Sequence, residues 1–207
     1  MMNHSEDQRS KSERTLLTAL LLSAPGPIVT GISVLFCYST TQIADFLRRS
    51  TELAAIFVSW WIYRKLQRNS ELDSAEQGRL EHLANLCVGY AMACTGFMML
   101  IIAAFRLPSY KPTGNVTMGL VIAVLGLLTN TWFWFRYRAL IREQFNVIIA
   151  AQQKLYRAKS FVDFCVVVAL TAIAIAPVHA VTRYVDILGS VIVACYLLWN
   201  GFGTIRK

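Results

Sequence analysis

The residues of this chain whose types and spacing could do chemistry gather in one stretch. Asp45, Arg48, Arg49 and Glu52 open an otherwise apolar run that continues to Tyr63. Spacings of three, four and seven place Asp45, Arg48 and Glu52 on one face of a helix, about a turn apart. Arg49 lies about 100° from Arg48 and one turn beyond Asp45. Two carboxylates with an arginine between them form a nearly neutral group, the condition under which such charges can be buried. The cluster reads either as a structural ion-pair ladder or as a cation or proton site. Asp163, another carboxylate inside an apolar run, could converge on it. Asp45, Arg48, Glu52 and Asp163 are therefore the candidate site residues.

The remaining polar residues in apolar surroundings have plainer readings. Asn130 is expected to make an interhelical hydrogen bond, with a substrate contact as the alternative. Glu81 beside His82 marks a helix start, and Asp186 opens the last apolar run, where a carboxylate favours the helix dipole. His82 and His179 are too isolated to argue for a metal site. Cys37, Cys87, Cys94, Cys165 and Cys195 all lie in apolar segments without a CxxC pair, as packing residues do. No Ser-His-Asp set, phosphate-binding loop or dinucleotide-binding glycine pattern stands in a fitting context. Neither an enzyme nor a resident cofactor is expected.

The elements that must hold these residues follow from composition. With 56% hydrophobic and only 15% charged residues, the chain departs from the quarter or so of charged residues typical of soluble domains. The bilayer is thus its first partner. At roughly 20 apolar residues per crossing, 207 residues allow about six helices and no second folded domain. The expectation is an all-α integral membrane protein of six transmembrane helices, multi-pass in the cell (inner) membrane. The formal charge of +8 points to topology signals in short loops rather than to nucleic acid.

Residues 1–14 read as a polar cytoplasmic tail with no cleavable signal. The crossings are expected at about 15–38, 42–63, 83–105, 116–135, 161–176 and 185–205. Pro25-Gly26-Pro27 should kink the first or delay its start. Gly89, Ala91, Ala93 and Gly96 give the third a small-residue surface for close helix approach. Trp132, Trp134 and Phe135 precede Arg136, Arg138 and Arg142, an aromatic belt followed by a basic flank. The segment 137–159 alternates apolar and charged residues, and is expected to lie along the headgroups or to extend the fourth crossing; it could bind anionic lipid or a partner.

Orientation follows from where the basic residues fall. Arg9, Lys11, Arg14, Arg64, Lys65, Arg68, Arg79, Arg136, Arg138, Arg142, Lys154, Arg157, Lys159, Arg206 and Lys207 collect on one side, against Arg106, Lys111 and Arg183 on the other. By the positive-inside rule both termini are cytoplasmic, which requires an even number of crossings.

Gly78-Arg79-Leu80-Glu81-His82-Leu83-Ala84, just before the third crossing, resembles the Gly-basic-x-Glu-x-Leu-Ala signature of the cation diffusion facilitators. The second crossing resembles that family's ligand-bearing helix, Thr129-Asn130 with its aromatic-basic end resembles its fourth, and Tyr184-Val185-Asp186 leading to Leu197-Leu198-Trp199-Asn200-Gly201 resembles its sixth. The resemblance implies a homodimer that exchanges a divalent metal ion for protons. It implies a metal held between the second and fifth helices by two residues at x and x+4 on each. Aligned on this chain, those positions fall on Arg48 and Glu52 and on Val162 and Val166, of which only Glu52 can ligate. The family's cytoplasmic domain after the sixth helix is not expected here. The resemblance therefore implies a cation transporter with an altered site or, alternatively, a pseudo-transporter that keeps the fold as a structural or regulatory membrane partner.

Overall fold

In a computed structural model of the protein, residues 2–36, 40–68, 73–106, 116–175 and 180–206 are described, and all of their regular structure is helical. The helices are α1 (Met2–Ser23), α2 (Pro25–Phe36), α3 (Thr40–Arg68), α4 (Ser74–Arg106), α5 (Val116–Glu143), α6 (Val147–Ile175) and α7 (Ala180–Ile205). The first two make one crossing. Pro25 and Pro27 remove amide donors, and the chain turns at Ala24, whose amide still reaches the Leu20 carbonyl at 3.0 Å. The expected kink is present, and six helical crossings result.

Several boundaries differ from the sequence reading. The polar residues after Met1 are helical, continuing α1 rather than forming a separate tail, and Glu13 on that turn meets Arg64 of α3 at 3.6 Å. α4 starts at Ser74, so the Gly78-Arg79 motif lies inside a helix and not in a loop. The largest difference concerns 137–159. It is neither one interfacial helix nor a simple extension of the fourth crossing, because the chain breaks after Glu143 and α6 begins at Val147. Asn146 caps that helix, its side-chain oxygen accepting from the amides of Ile148 and Ile149 at 3.0 and 3.3 Å. The fifth crossing therefore takes in residues 147–160 as well, and carries Gln152 and Lys159 into the bundle. Cys37 and His179 lie outside the described residues, as do the side chains of Asp45 on α3 and Asp186 on α7.

The core is built by helix pairing. α4 packs closely on α7 and α5 on α6, with α3 bridging α1, α2, α4 and α6. Phe133, Tyr137 and Tyr156 stack at the α5–α6 seam with ring centroids 5.0 to 6.2 Å apart. The small-residue surface expected on the third crossing is where α7 comes in. A β-carbon on Gly201 would stand 2.9 Å from both the Ala93 nitrogen and the Gly89 oxygen, and one on Gly96 would stand 2.9 Å from the Ala194 oxygen. Outside, Leu21, Ile28, Tyr90, Phe97, Leu125, Trp132 and Ile192 are each more than half exposed, an apolar surface that suits lipid. Among the described residues, four helical stretches, Gln8–Ile32, Ser74–Phe105, Leu120–Glu143 and Leu188–Ile205, are long and apolar enough to span a membrane by composition alone. The other two rods are α3 and α6, which carry charged residues toward the interior.

The close α4–α7 approach yields the first prediction. Gly201→Val must push the helices apart and should lower stability in detergent by about 1–3 kcal/mol. Gly203→Ala, where an added methyl meets nothing within 4 Å, should leave the thermal midpoint unchanged or slightly raised. Equal midpoints for the two variants would show that this contact does not set the bundle's spacing.

Candidate transport site

Between α3, α5 and α6, closed by α2 and α4, lies a cavity of about 280 Å³. Its wall includes Arg48, Arg49 and Glu52 from α3, Asn130 from α5, and Lys159 and Asp163 from α6. Both carboxylates singled out in the described sequence, Glu52 and Asp163, thus face one space. The helix geometry explains the arrangement. Arg48 and Glu52 are one turn apart on α3, Lys159 and Asp163 one turn apart on α6, and each pair therefore presents a single face.

The central contact is an ion pair that joins the two helices. Lys159 Nζ lies 3.1 Å from Glu52 Oε2, with both side chains largely withdrawn from the surface. The Thr95 hydroxyl of α4 contacts the other carboxylate oxygen, Oε1, at 3.4 Å. The Lys159 ammonium also sits 5.1 Å from the centre of the Tyr156 ring, a cation–π distance. Asp163 is held differently. The Asn130 amide donates to its Oδ2 at 2.6 Å, and Gly126 leaves it room, since a β-carbon there would stand 3.3 Å from the same oxygen. Asn130 thus makes the interhelical hydrogen bond expected of it, and its acceptor is a cavity carboxylate.

The fifth-helix positions taken from the resemblance need correction. Val162 is buried in the cavity wall, but Val166 lies outside it, beside Met99 and Cys165 in a separate small depression. The residues at a spacing of four that face Glu52 are Lys159 and Asp163. Three residues of offset rotate a helix by about 300°, nearly a full turn, so the frame moves along the helix with little change of face. The partner of Glu52 is likewise one that the sequence reading did not name. A fifth crossing beginning at 161 would leave Lys159 in the basic flank, whereas α6 begins at Val147 and carries it inside. Its signal was its position one turn before Asp163 on a helix that Asn146 could cap.

Each helix therefore supplies one cation and one carboxylate, with Arg49 beside them. Arg49 packs against the proline kink, its Nη1 3.3 Å from where a β-carbon of Gly26 would stand. Among the described residues, no histidine or cysteine lines the cavity and no group of three His, Cys, Asp or Glu side chains could hold a metal ion. His82 is exposed, and Glu81 lines a different cavity near the basic face.

Apolar helices around a charged internal cavity mark a multi-pass membrane protein. The cation efflux transmembrane domain matches residues 16–207. The chain belongs to the cation efflux family, and is a membrane cation transporter of the cation diffusion facilitator kind. A comparison with curated proteins finds no match.

The ion pair makes a direct prediction for stability. Lys159→Met removes the cation and strands the Glu52 carboxylate, which should lower stability by about 3–5 kcal/mol. Glu52→Gln added to it should restore most of that loss, a non-additivity readable as thermal midpoints of the two single variants and the double variant. Additive effects would mean that Glu52 and Lys159 do not act as a pair.

Proposed function

We propose that the protein moves a hard cation through the cavity between α3 and α6, the ion binding Glu52 and Asp163 in place of the Lys159 ammonium. The observation that carries this reading is the 3.1 Å contact between Lys159 and Glu52. In a cation transporter, the carboxylate that would meet the ion is already occupied by a tethered cation. An arriving ion must displace it, and one displaced ammonium releases one carboxylate charge. That balance favours a monovalent ion or a proton over the divalent metals carried by the family.

Donor chemistry supports the same choice. The cavity offers carboxylate, amide and hydroxyl oxygens from Glu52, Asp163, Asn130, Thr95 and Thr129, and the arginines and Lys159 oppose a second positive charge. Oxygen donors suit hard ions, whereas zinc is held by sulfur and imidazole more often. Proton exchange fits the proposal, because protonation of Glu52 would also release Lys159. Assembly as a homodimer is carried over from the resemblance and belongs to this proposal.

The ion pair favours a second reading too. A fixed Glu52–Lys159 contact would lock α3 to α6 and leave a non-transporting membrane partner with the family's fold. Flux into proteoliposomes separates the readings, with Na+, K+, Mg2+, Mn2+ and Zn2+ offered in turn. Transport predicts uptake of a monovalent ion that Glu52→Gln and Asp163→Asn abolish, while Lys159→Gln shifts selectivity toward divalent ions. No uptake of any ion by the wild-type protein would favour the locked partner, and uptake indifferent to Glu52 and Asp163 would remove the cavity from the path.

A further inference from the structure

Glu52 and Lys159 are one rung of a longer seam. Seven residues further along α3 and seven residues back along α6, Ser59 and Gln152 meet in the same antiparallel register, with Gln152 Nε2 donating to Ser59 Oγ at 2.8 Å. Two turns of helix separate the rungs, roughly 10 Å along the axis. Both side chains are fully buried. One polar contact is unusual in a bundle whose neighbouring buried positions are Ala55, Ile56, Ile62, Ile148, Ile149 and Leu155. Moreover, the Gln152 side-chain oxygen has no hydrogen-bond partner among the described residues, nor has the buried Tyr137 hydroxyl. Buried polar atoms are nearly always paired by protein or water.

The seam has a cavity at each end. Above the first rung is the central cavity, lined by Glu52, Tyr156 and Lys159. Beyond the second, toward the basic ends of the helices, is a cavity of about 460 Å³ lined by Ser12, Tyr63, Gln67, Gln144 and Asn146, with Arg9 and Glu81 as its charged members. Tyr63 stands one turn past Ser59 on α3, and Asn146 caps the start of α6, so the second cavity continues the same α3–α6 register. By the positive-inside rule this end is cytoplasmic.

We propose that the α3–α6 seam is a proton path linking the cytoplasmic cavity to Glu52, with Ser59 and Gln152 forming its narrow step. The rungs stand roughly 10 Å apart, so the path is a file of about three waters, one of them held by the orphan oxygen of Gln152 beside the Ser59 hydroxyl. Each water and the Ser59 hydroxyl gives up one proton as it takes another, so the relay ends unchanged, and Gln152 only positions it. The proton finishes on the Glu52 carboxylate, and the ion pair with Lys159 opens as it arrives. This inference rests on the reading of the cavity as a cation site, and extends it by naming the route and the groups along it.

The test begins with water access, which requires no transport. Ser59→Cys protein in membranes is treated with methanethiosulfonate ethylammonium, and mass spectrometry locates the label, so the native cysteines stay in place. The control is Val88→Cys, fully buried in the apolar core of α4. A hydrated step predicts labelling of Ser59→Cys at least about tenfold faster than the control, since thiol reactivity follows exposure and thiolate character, and Gln152→Leu should remove the advantage. Equal rates for Ser59→Cys and Val88→Cys overturn the path. A second arm follows proton entry into proteoliposomes with a pH dye inside, driven by a pH gradient. Loss of entry in Gln152→Leu, with the thermal midpoint retained, supports the relay; entry equal to wild type overturns it. Failure of the underlying cation site appears separately, as ion uptake that Glu52→Gln does not alter.

Discussion

A carboxylate inside a helix bundle has to meet a positive charge, and in this protein that charge comes from the chain itself. Glu52 on α3 is met by Lys159 on α6 at 3.1 Å. A charge at membrane depth is disfavoured by a few kcal/mol on insertion-derived scales, and leaving one unpaired is worse than never placing it there. The pair ties together α3 and α6, whose main packing partners are other helices. In the same antiparallel register Ser59 stands opposite Gln152, and Arg48, Arg49 and Asp163 surround a common cavity.

Around that pair the packing does two kinds of work. Where no charge must be met, glycines let backbones approach, as Gly89, Gly96 and Gly201 do between α4 and α7. Where a polar side chain must be accommodated, a glycine leaves space for it, as Gly126 does for Asp163 and Gly26 for Arg49. The proline kink therefore has a role beyond bending the first crossing. It brings the α1–α2 junction against the cavity, with Ser23 reaching the Tyr156 hydroxyl at 3.4 Å.

Membership of the cation efflux family accounts for the architecture. At the centre, Arg48 and Lys159 stand one turn from Glu52 and Asp163 respectively. Their positive charges balance the two carboxylates within the bundle. Under the proposed function, the chemistry of the site turns on exchange between a tethered cation and a mobile one.

Much of this was legible in the sequence. Hydropathy and the distribution of Lys and Arg defined an all-helical membrane protein of six crossings, because desolvation of a helical backbone leaves few alternatives in lipid. The spacing of Arg48 and Glu52, the polar partner role of Asn130 and the close-packing surface of Gly89 and Gly96 followed from helix periodicity alone. Periodicity could not say which residue on another helix would answer Glu52. Lys159 carried the composition of a cytoplasmic flank, and Val162 and Val166 were positions that the family resemblance alone implied. Only the tertiary structure decided otherwise, because the Asn146 cap starts α6 early, and the depth of Lys159 in the bundle depends on that start and on how α6 packs against α3. Contacts within a helix are written in local spacing, whereas contacts between helices depend on rotation and offset, which a single sequence leaves open.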